Sequence, residues 1–276
     1  MFWFDFNWQI QHFLNQFWWQ INFLLLVILV VLGYLAYKKP IYAVGLTIIL
    51  LPTYLFRSKI WFLPFTFLEL CILITFIGWS INCIQAKSYK LKAISYKWPI
   101  ILILLASTAA TFIGPNLKSA AGLWKAYFVE PILFFLILAN VVKTDQDKKN
   151  IIWALGISTL LISFLAIIQK FTGFGIAEPI WTDPVKRRVT SIFTSPNAIG
   201  LFLGPIVSIY FAWLITEIKR LKPTILKLLL IIPALLAILL TVSQGTWLGL
   251  AAAILFLAYF GWNKKWTTVF VVIFII

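Results

Sequence analysis

Between Asn150 and Lys170 the chain reads Ile151-Ile-Trp-Ala-Leu-Gly-Ile-Ser-Thr-Leu-Leu-Ile-Ser-Phe-Leu-Ala-Ile-Ile-Gln169, without a charge. As an α-helix this run rises about 28 Å, close to the thickness of a bilayer's hydrocarbon core. It has no polar face with which to meet water, so it reads as a membrane span. The same pattern recurs on both sides, at about 21–37, 41–56, 60–84, 98–113, 124–142, 197–216, 224–242 and 245–262. Another run begins near Trp266, but only about 16 Å of helix fits before Ile276, and a crossing needs about 30 Å. The sequence thus predicts an all-α, polytopic transmembrane helix bundle with nine full spans and an unfinished tenth, a single membrane domain over 1–276.

Composition points the same way. The 276 residues are 62% hydrophobic and 11% charged, where a soluble domain carries about a quarter charged. That excludes a disordered chain, a collagen-like fibre and a water-soluble globule. A net charge of +15 raises the question of nucleic acid, but the Lys and Arg punctuate the apolar runs instead of forming one exposed stripe, so no nucleic-acid partner is expected. Odd-numbered connections hold 15 of the 23 Lys and Arg, which places them in the cytoplasm and the N-terminus outside. Against that bias, the sixth connection, 170–196, is external, the longest, and carries Lys170, Lys186, Arg187 and Arg188.

Cys71 and Cys83 share one run and lie about 18 Å apart on a helix, beyond disulfide reach. Residues 1–20, MFWFDFNWQIQHFLNQFWWQ, lack the basic start and cleavage site of a secretory signal and suit an aromatic segment at the headgroup level. His12, the single histidine, belongs to that segment and reads as an interfacial side chain. With no phosphate-binding loop, dinucleotide fingerprint or paired CxxC, no metal or cofactor is expected. Small residues at four-residue spacing, Gly200-Gly204-Ser208-Ala212 and Gly245-Gly249-Ala253, read as helix-packing stripes without chemistry.

The most informative stretch is Arg187-Arg188-Val-Thr-Ser191-Ile-Phe193-Thr-Ser195-Pro196-Asn197. Ser195 is a good N-cap and Pro196 a good first helical residue, so the seventh span starts here, on the external side. Unpaired N–H groups, the helix dipole and two arginines together favour a phosphate or diphosphate, whose oxygens a guanidinium holds in pairs. The plainer alternative is a basic interfacial anchor before an ordinary capped helix. Glu69 and Glu130 lie within spans, each about 9–14 Å from the external end. Intramembrane acids are candidates for substrate contact, with a structural ion pair as the alternative. Pro131 predicts a kink beside Glu130. The tight, uncharged connection Thr241-Val-Ser243-Gln244-Gly245 reaches the same side, bringing Ser243 and Gln244 to it. Trp181 and Phe174 in the sixth connection, together with Gly173 and Gly175, give a flexible segment with flat faces for a sugar, or interfacial anchoring.

Arg188, Phe193, Pro196 and Asn197 resemble the Arg-x-x-Gly-x-Phe-x-x-Pro-Asn signature of the bacterial O-antigen ligase and O-antigen polymerase superfamily, with Ser191 in place of the glycine. Ser243-Gln244-Gly245-Thr246-Trp247 is similar to that family's second signature, Ser-Arg-Gly at the start of a later span, with Gln244 replacing the arginine. The likeness covers roughly residues 100 to 260. It implies a multi-pass glycosyltransferase of the bacterial cytoplasmic (inner) membrane, metal-independent and inverting, acting in polysaccharide and lipopolysaccharide biosynthesis for the cell envelope. Such an enzyme moves an oligosaccharide from undecaprenyl diphosphate to an acceptor glycan or lipid outside the cytoplasm. Arg188, assisted by Arg187, would neutralise the diphosphate and Asn197 would orient it. Ser195, Trp181, Gln244, Glu69 and Glu130 would contact substrate or membrane lipid. The family's general base is a histidine in a later external loop, so the resemblance implies a C-terminal part beyond Ile276. The competing readings are a transporter or flippase for a lipid-linked saccharide or a small anion such as bicarbonate, and an inactive truncated relative.

Overall fold

A computed structural model of the chain describes residues 2–4, 15–60, 63–86, 95–176, 178–218 and 225–261. The structure is predominantly helical. Among the described residues, five helices are long and apolar enough to cross a membrane: Trp18–Lys38, Phe67–Gln85, Leu117–Val141, Asp145–Thr172 and Pro196–Leu214. Their outer faces carry large apolar side chains in the open, such as Phe23, Leu26 and Val30 on the first and Leu161 and Phe164 on the fourth. That surface suits lipid and not water. His12, Lys219, Lys222 and the tenth run from Trp266 lie outside the described residues.

The chain divides into two compact units, with the boundary after Ala154. The first contains α1 (Trp18–Lys38), α2 (Pro40–Ile49), α3 (Phe67–Gln85), α4 (Lys97–Ile113), α5 (Leu117–Trp124) and α6 (Glu130–Val141), with a π turn at Lys125–Val129 joining the last two. A three-stranded antiparallel sheet, β1 (Phe2–Phe4), β2 (Phe56–Ile60) and β3 (Leu63–Thr66), accompanies them in the order β1-β2-β3. Two expectations change here. The run 41–56 is not one span, because its helix ends at Ile49, a 3-10 turn follows at Leu51–Leu55, and β2 begins at Phe56. Pro52 cannot donate a helical hydrogen bond and its ring crowds the carbonyl four residues earlier, which stops the helix. The run 60–84 likewise becomes helical only at Phe67, after Pro64 in β3, an edge strand where proline costs no ladder bond. Thus the all-α expectation holds for the helices but missed a small sheet.

Within this unit α1 and α3 pack closely. A Cβ on Gly78 would stand 2.6 Å from the Cβ of Ala36, so only glycine permits the approach. Leu25, Leu32, Ala36, Ala43, Phe67 and Cys71 form the buried core. A buried polar tie joins Thr47 Oγ1 to Thr75 Oγ1 at 3.1 Å, and at the half-buried end of the pair Asn82 Nδ2 donates to the Tyr37 carbonyl at 2.7 Å.

The boundary falls in α7 (Asp145–Thr172), whose start is fixed by a capping box: Asp147 accepts from the N–H groups of Lys143 and Thr144, and Thr144 Oγ1 accepts from the Asp147 N–H. From Leu155 onward it belongs to the second unit, with α8 (Pro196–Ile218), α9 (Ile225–Leu240) and α10 (Gln244–Gly261). Ile162, Ala166, Val189, Ile199, Leu203, Val207, Ala234, Ala237, Ile238 and Leu250 form its core. Gly156 of α7 lies directly against the Tyr210 hydroxyl of α8, leaving no room for a Cβ.

Candidate functional site: a groove between two helix N-termini

The loop after α7 is held by two side chains. Arg187 is buried, and its guanidinium donates to the carbonyls of Lys170 and Phe171 in the last turn of α7 and to the carbonyl of Thr182. Lys170 Nζ returns a bond to the Arg187 carbonyl at 3.1 Å. A cation among C-terminal helix carbonyls is electrostatically favoured. Arg187 therefore ties the loop to α7 and does not line the groove described below.

Gln169 is the second holder. Fully buried, it accepts from the N–H groups of Thr190 and Ser191 and donates to the Ser191 carbonyl. Ser191 has φ +52°, the left-handed region that favours glycine, and its hydroxyl donates to the Ile162 carbonyl at 2.8 Å. The next residues turn sharply into α8. Phe193 enters the core beside Phe202, and Ser195 Oγ accepts from the Asn197 N–H at 3.2 Å as the helix cap.

Arg188 leaves this loop in the opposite sense to Arg187. Its Nε donates to the Thr241 carbonyl at 2.8 Å and one terminal nitrogen lies 3.4 Å from Asn197 Oδ1. Its backbone N–H meets the Trp181 carbonyl, which is the contact Trp181 makes with the site. Thr241 precedes Val242, a β-branched residue at φ +50°, and then Ser243, whose hydroxyl accepts from Thr246 Oγ1 at 2.9 Å at the start of α10. A β-branched side chain in that backbone region is strained.

Together these residues form one end of a groove of about 870 Å³. Arg188, Asn197, Ser243 and Gln244 supply its polar end, where α8 and α10 both begin and neither has an acid in its first turn. Leu201, Pro205, Leu250 and Ala253 line most of the rest, together with Ser208, whose hydroxyl is spent on the Gly204 carbonyl. A guanidinium beside two helix N-termini makes that end attractive to an anion. Its open shape comes from the glycine stripes. A Cβ on Gly204, Gly245 or Gly249 would meet nothing within 4 Å, whereas Gly200 sits against Thr246. Only part of the stripe serves helix contact, and the expectation that all these glycines pack helices is corrected: three of them widen the groove.

Glu69 and Glu130 belong to the first unit. Thr66 Oγ1 caps α3 by accepting from the Glu69 N–H, and the Glu69 carboxylate takes Lys125 Nζ at 2.6 Å. Lys125 also donates to the Pro64 carbonyl at 2.9 Å and lies over the Phe65 ring. Glu130 begins α6 directly after the π turn, with Pro131 next in the chain: widening the turn relieves the crowding that the Pro131 ring imposes on a preceding carbonyl.

Gln169 was not singled out in the sequence, and Thr241, Val242 and Thr246 entered only as members of longer stretches, without a role of their own. Gln169 carried a signal, a neutral amide inside an otherwise apolar span. Val242 carried none, since nothing in its residue type predicts a left-handed backbone. Compared with family models, with characterised proteins and with solved structures, the chain matches none.

Proposed function

We propose that the chain is a multi-pass protein of the bacterial cytoplasmic membrane, whose groove binds a polyprenyl diphosphate carrying an oligosaccharide and transfers that oligosaccharide to an acceptor sugar on the external face. One observation carries this reading: Arg188 stands between the N-termini of α8 and α10, at the polar end of a groove whose other end is apolar. An amphipathic ligand with an anionic head and a hydrocarbon tail matches that polarity. The φ of Ser191 adds support, since the O-antigen ligase and polymerase signature has glycine at this position and the backbone here is of the kind glycine adopts.

In the proposed transfer the acceptor hydroxyl oxygen bonds to the anomeric carbon as the bond from that carbon to the diphosphate oxygen breaks, inverting the configuration. The bonding pair leaves on the diphosphate, and the hydroxyl proton passes to a base. Arg188 and the two helix N-termini stabilise the charge that grows on the leaving group, which lowers the barrier. Asn197, 3.4 Å from the guanidinium, orients it. Among the described residues lining the groove there is no Asp, Glu or His, so the groove's part is leaving-group stabilisation and not proton removal.

The test uses the chain in nanodiscs with undecaprenyl diphosphate as probe. Wild type binds it, R188K binds more weakly, and R188A loses at least tenfold in affinity. Equal binding by all three overturns the reading, as does labelling that finds position 188 accessible only from the cytoplasm.

A further inference from the structure

The first unit holds a charge cluster that the groove does not use. Glu69 and Lys125 already form a complete pair, with the remaining reach of Lys125 taken by the Pro64 carbonyl. Glu130 is 7% exposed, and its Oε1 is sealed from solvent without a hydrogen-bond partner among the described residues. It lies within electrostatic range of both Glu69 and Lys125. Two carboxylates and one ammonium leave one negative charge in a buried place, where an uncompensated ion is costly. Pro131, the next residue, has no N–H to give, and the Glu130 N–H is itself taken by the Lys125 carbonyl.

The elements packed on α6 bring few other charges. From α3 come Glu69 and, further along, Cys71 and Cys83; the π turn has Lys125 and the exposed Tyr127; α2 has only the exposed Tyr42 as a titratable side chain; and at the start of α4 Tyr96 packs on Phe135 of α6, beside Lys97, while the charges acting on Glu130 are those of Glu69 and Lys125. None of these offers Glu130 a second positive partner.

We propose that Glu130 is the binding site for one monovalent cation, a proton or Na⁺, held by its carboxylate beside the Glu69–Lys125 pair. One such ion makes the cluster neutral. A larger charge would overshoot, and the described residues contain no cluster of three acidic, Cys or His side chains of the sort that holds a divalent metal. The site is independent of the proposed transfer reaction, and its test does not involve saccharide.

The experiment is thermal unfolding of the full chain in detergent, comparing wild type with E130Q, whose side chain mimics the protonated acid. Unfolding is followed from pH 5 to 9 without Na⁺, and at pH 8.5 with NaCl against choline chloride of equal ionic strength. Wild type gains several degrees on acidification if the ion is a proton, or with NaCl but not choline chloride if it is Na⁺, because a ligand that binds only the folded state raises its stability. E130Q lacks that component. A wild type that responds to neither ion, or an E130Q that responds as strongly as wild type, overturns the proposal. Should E130Q fail to fold, infrared spectroscopy of wild type with ¹³C-labelled Glu decides: the carboxyl stretch of a neutral acid near pH 7, or a Na⁺-dependent carboxylate band, supports the site, and the absence of both overturns it.

Discussion

The Gln169 carboxamide grips Ser191 from both sides, its oxygen accepting from the Ser191 N–H at 2.7 Å and its nitrogen donating to the Ser191 carbonyl at 2.9 Å. The same oxygen also takes the Thr190 N–H at 3.1 Å. A loop that carries a buried backbone away from helix or sheet needs partners for these groups, and a single side chain supplies three bonds. Q169L keeps the volume and removes all of them. Leaving buried donors and an acceptor unpaired costs on the order of 3 kcal/mol. Q169L is therefore expected to unfold several degrees below wild type and to bind undecaprenyl diphosphate more weakly, although residue 169 touches no ligand. Unchanged melting by circular dichroism would show the clamp to be dispensable.

Ser191 gives a more selective test of the same loop. Its φ of +52° costs a non-glycine residue roughly 1 kcal/mol, and its hydroxyl bond to the Ile162 carbonyl offsets part of that. S191A loses the bond and keeps the strain. S191G loses the bond and the strain together. The expected order of melting temperature places S191A lowest, with S191G within a few degrees of wild type. If S191A equals S191G, the backbone at this position is not strained in solution.

Helical membrane character was legible because long apolar runs with basic interruptions have one physical reading. The start of α8 was legible as well, since Ser195, Pro196 and Asn197 form a capping pattern that depends on local geometry alone. What escaped is what depends on tertiary packing. Pro52 and Pro64 lie inside runs that hydropathy alone reads as spans, and nothing local to them tells that the backbone there pairs into a sheet. The roles of the two adjacent arginines could not be told apart either. Residue type is the same, and only the folded loop turns Arg187 onto the carbonyls of α7 and Arg188 into the groove. Likewise a glycine stripe reads as close packing whether its neighbour approaches, as Thr246 does at Gly200, or stands off, as at Gly204 and Gly249.

That difference among glycines predicts opposite phenotypes. At Gly156 an added methyl meets the Tyr210 hydroxyl and the Leu230 side chain, and at Gly200 it meets Thr246. G156A and G200A should each destabilise by about 1–3 kcal/mol through overpacking. At Gly204 and Gly249 a side chain grows into the groove, so G204L and G249L should keep the wild-type melting temperature within a few degrees. Both should nevertheless lose polyprenyl diphosphate binding, measured by native mass spectrometry in the same nanodiscs. A G204L protein that melts normally and binds normally would mean that the tail lies elsewhere.

The Glu69–Lys125 pair allows a test by double-mutant cycle. Glu69 is buried while the Lys125 side chain is 31% exposed, so the pair is only partly shielded by protein and its value falls between a surface and a buried ion pair. K125M leaves Glu69 charged and buried with Glu130 nearby, and should cost about 2 kcal/mol. E69Q strands an ammonium that can still reach the Pro64 carbonyl and water, so it should cost less. In the double variant E69Q/K125M neither charge is left to desolvate, and stability should recover to within about 1 kcal/mol of wild type, a coupling that simple additivity excludes. Additive losses would place the two side chains too far apart to interact, and would take away the pair against which the carboxyl of Glu130 has been set.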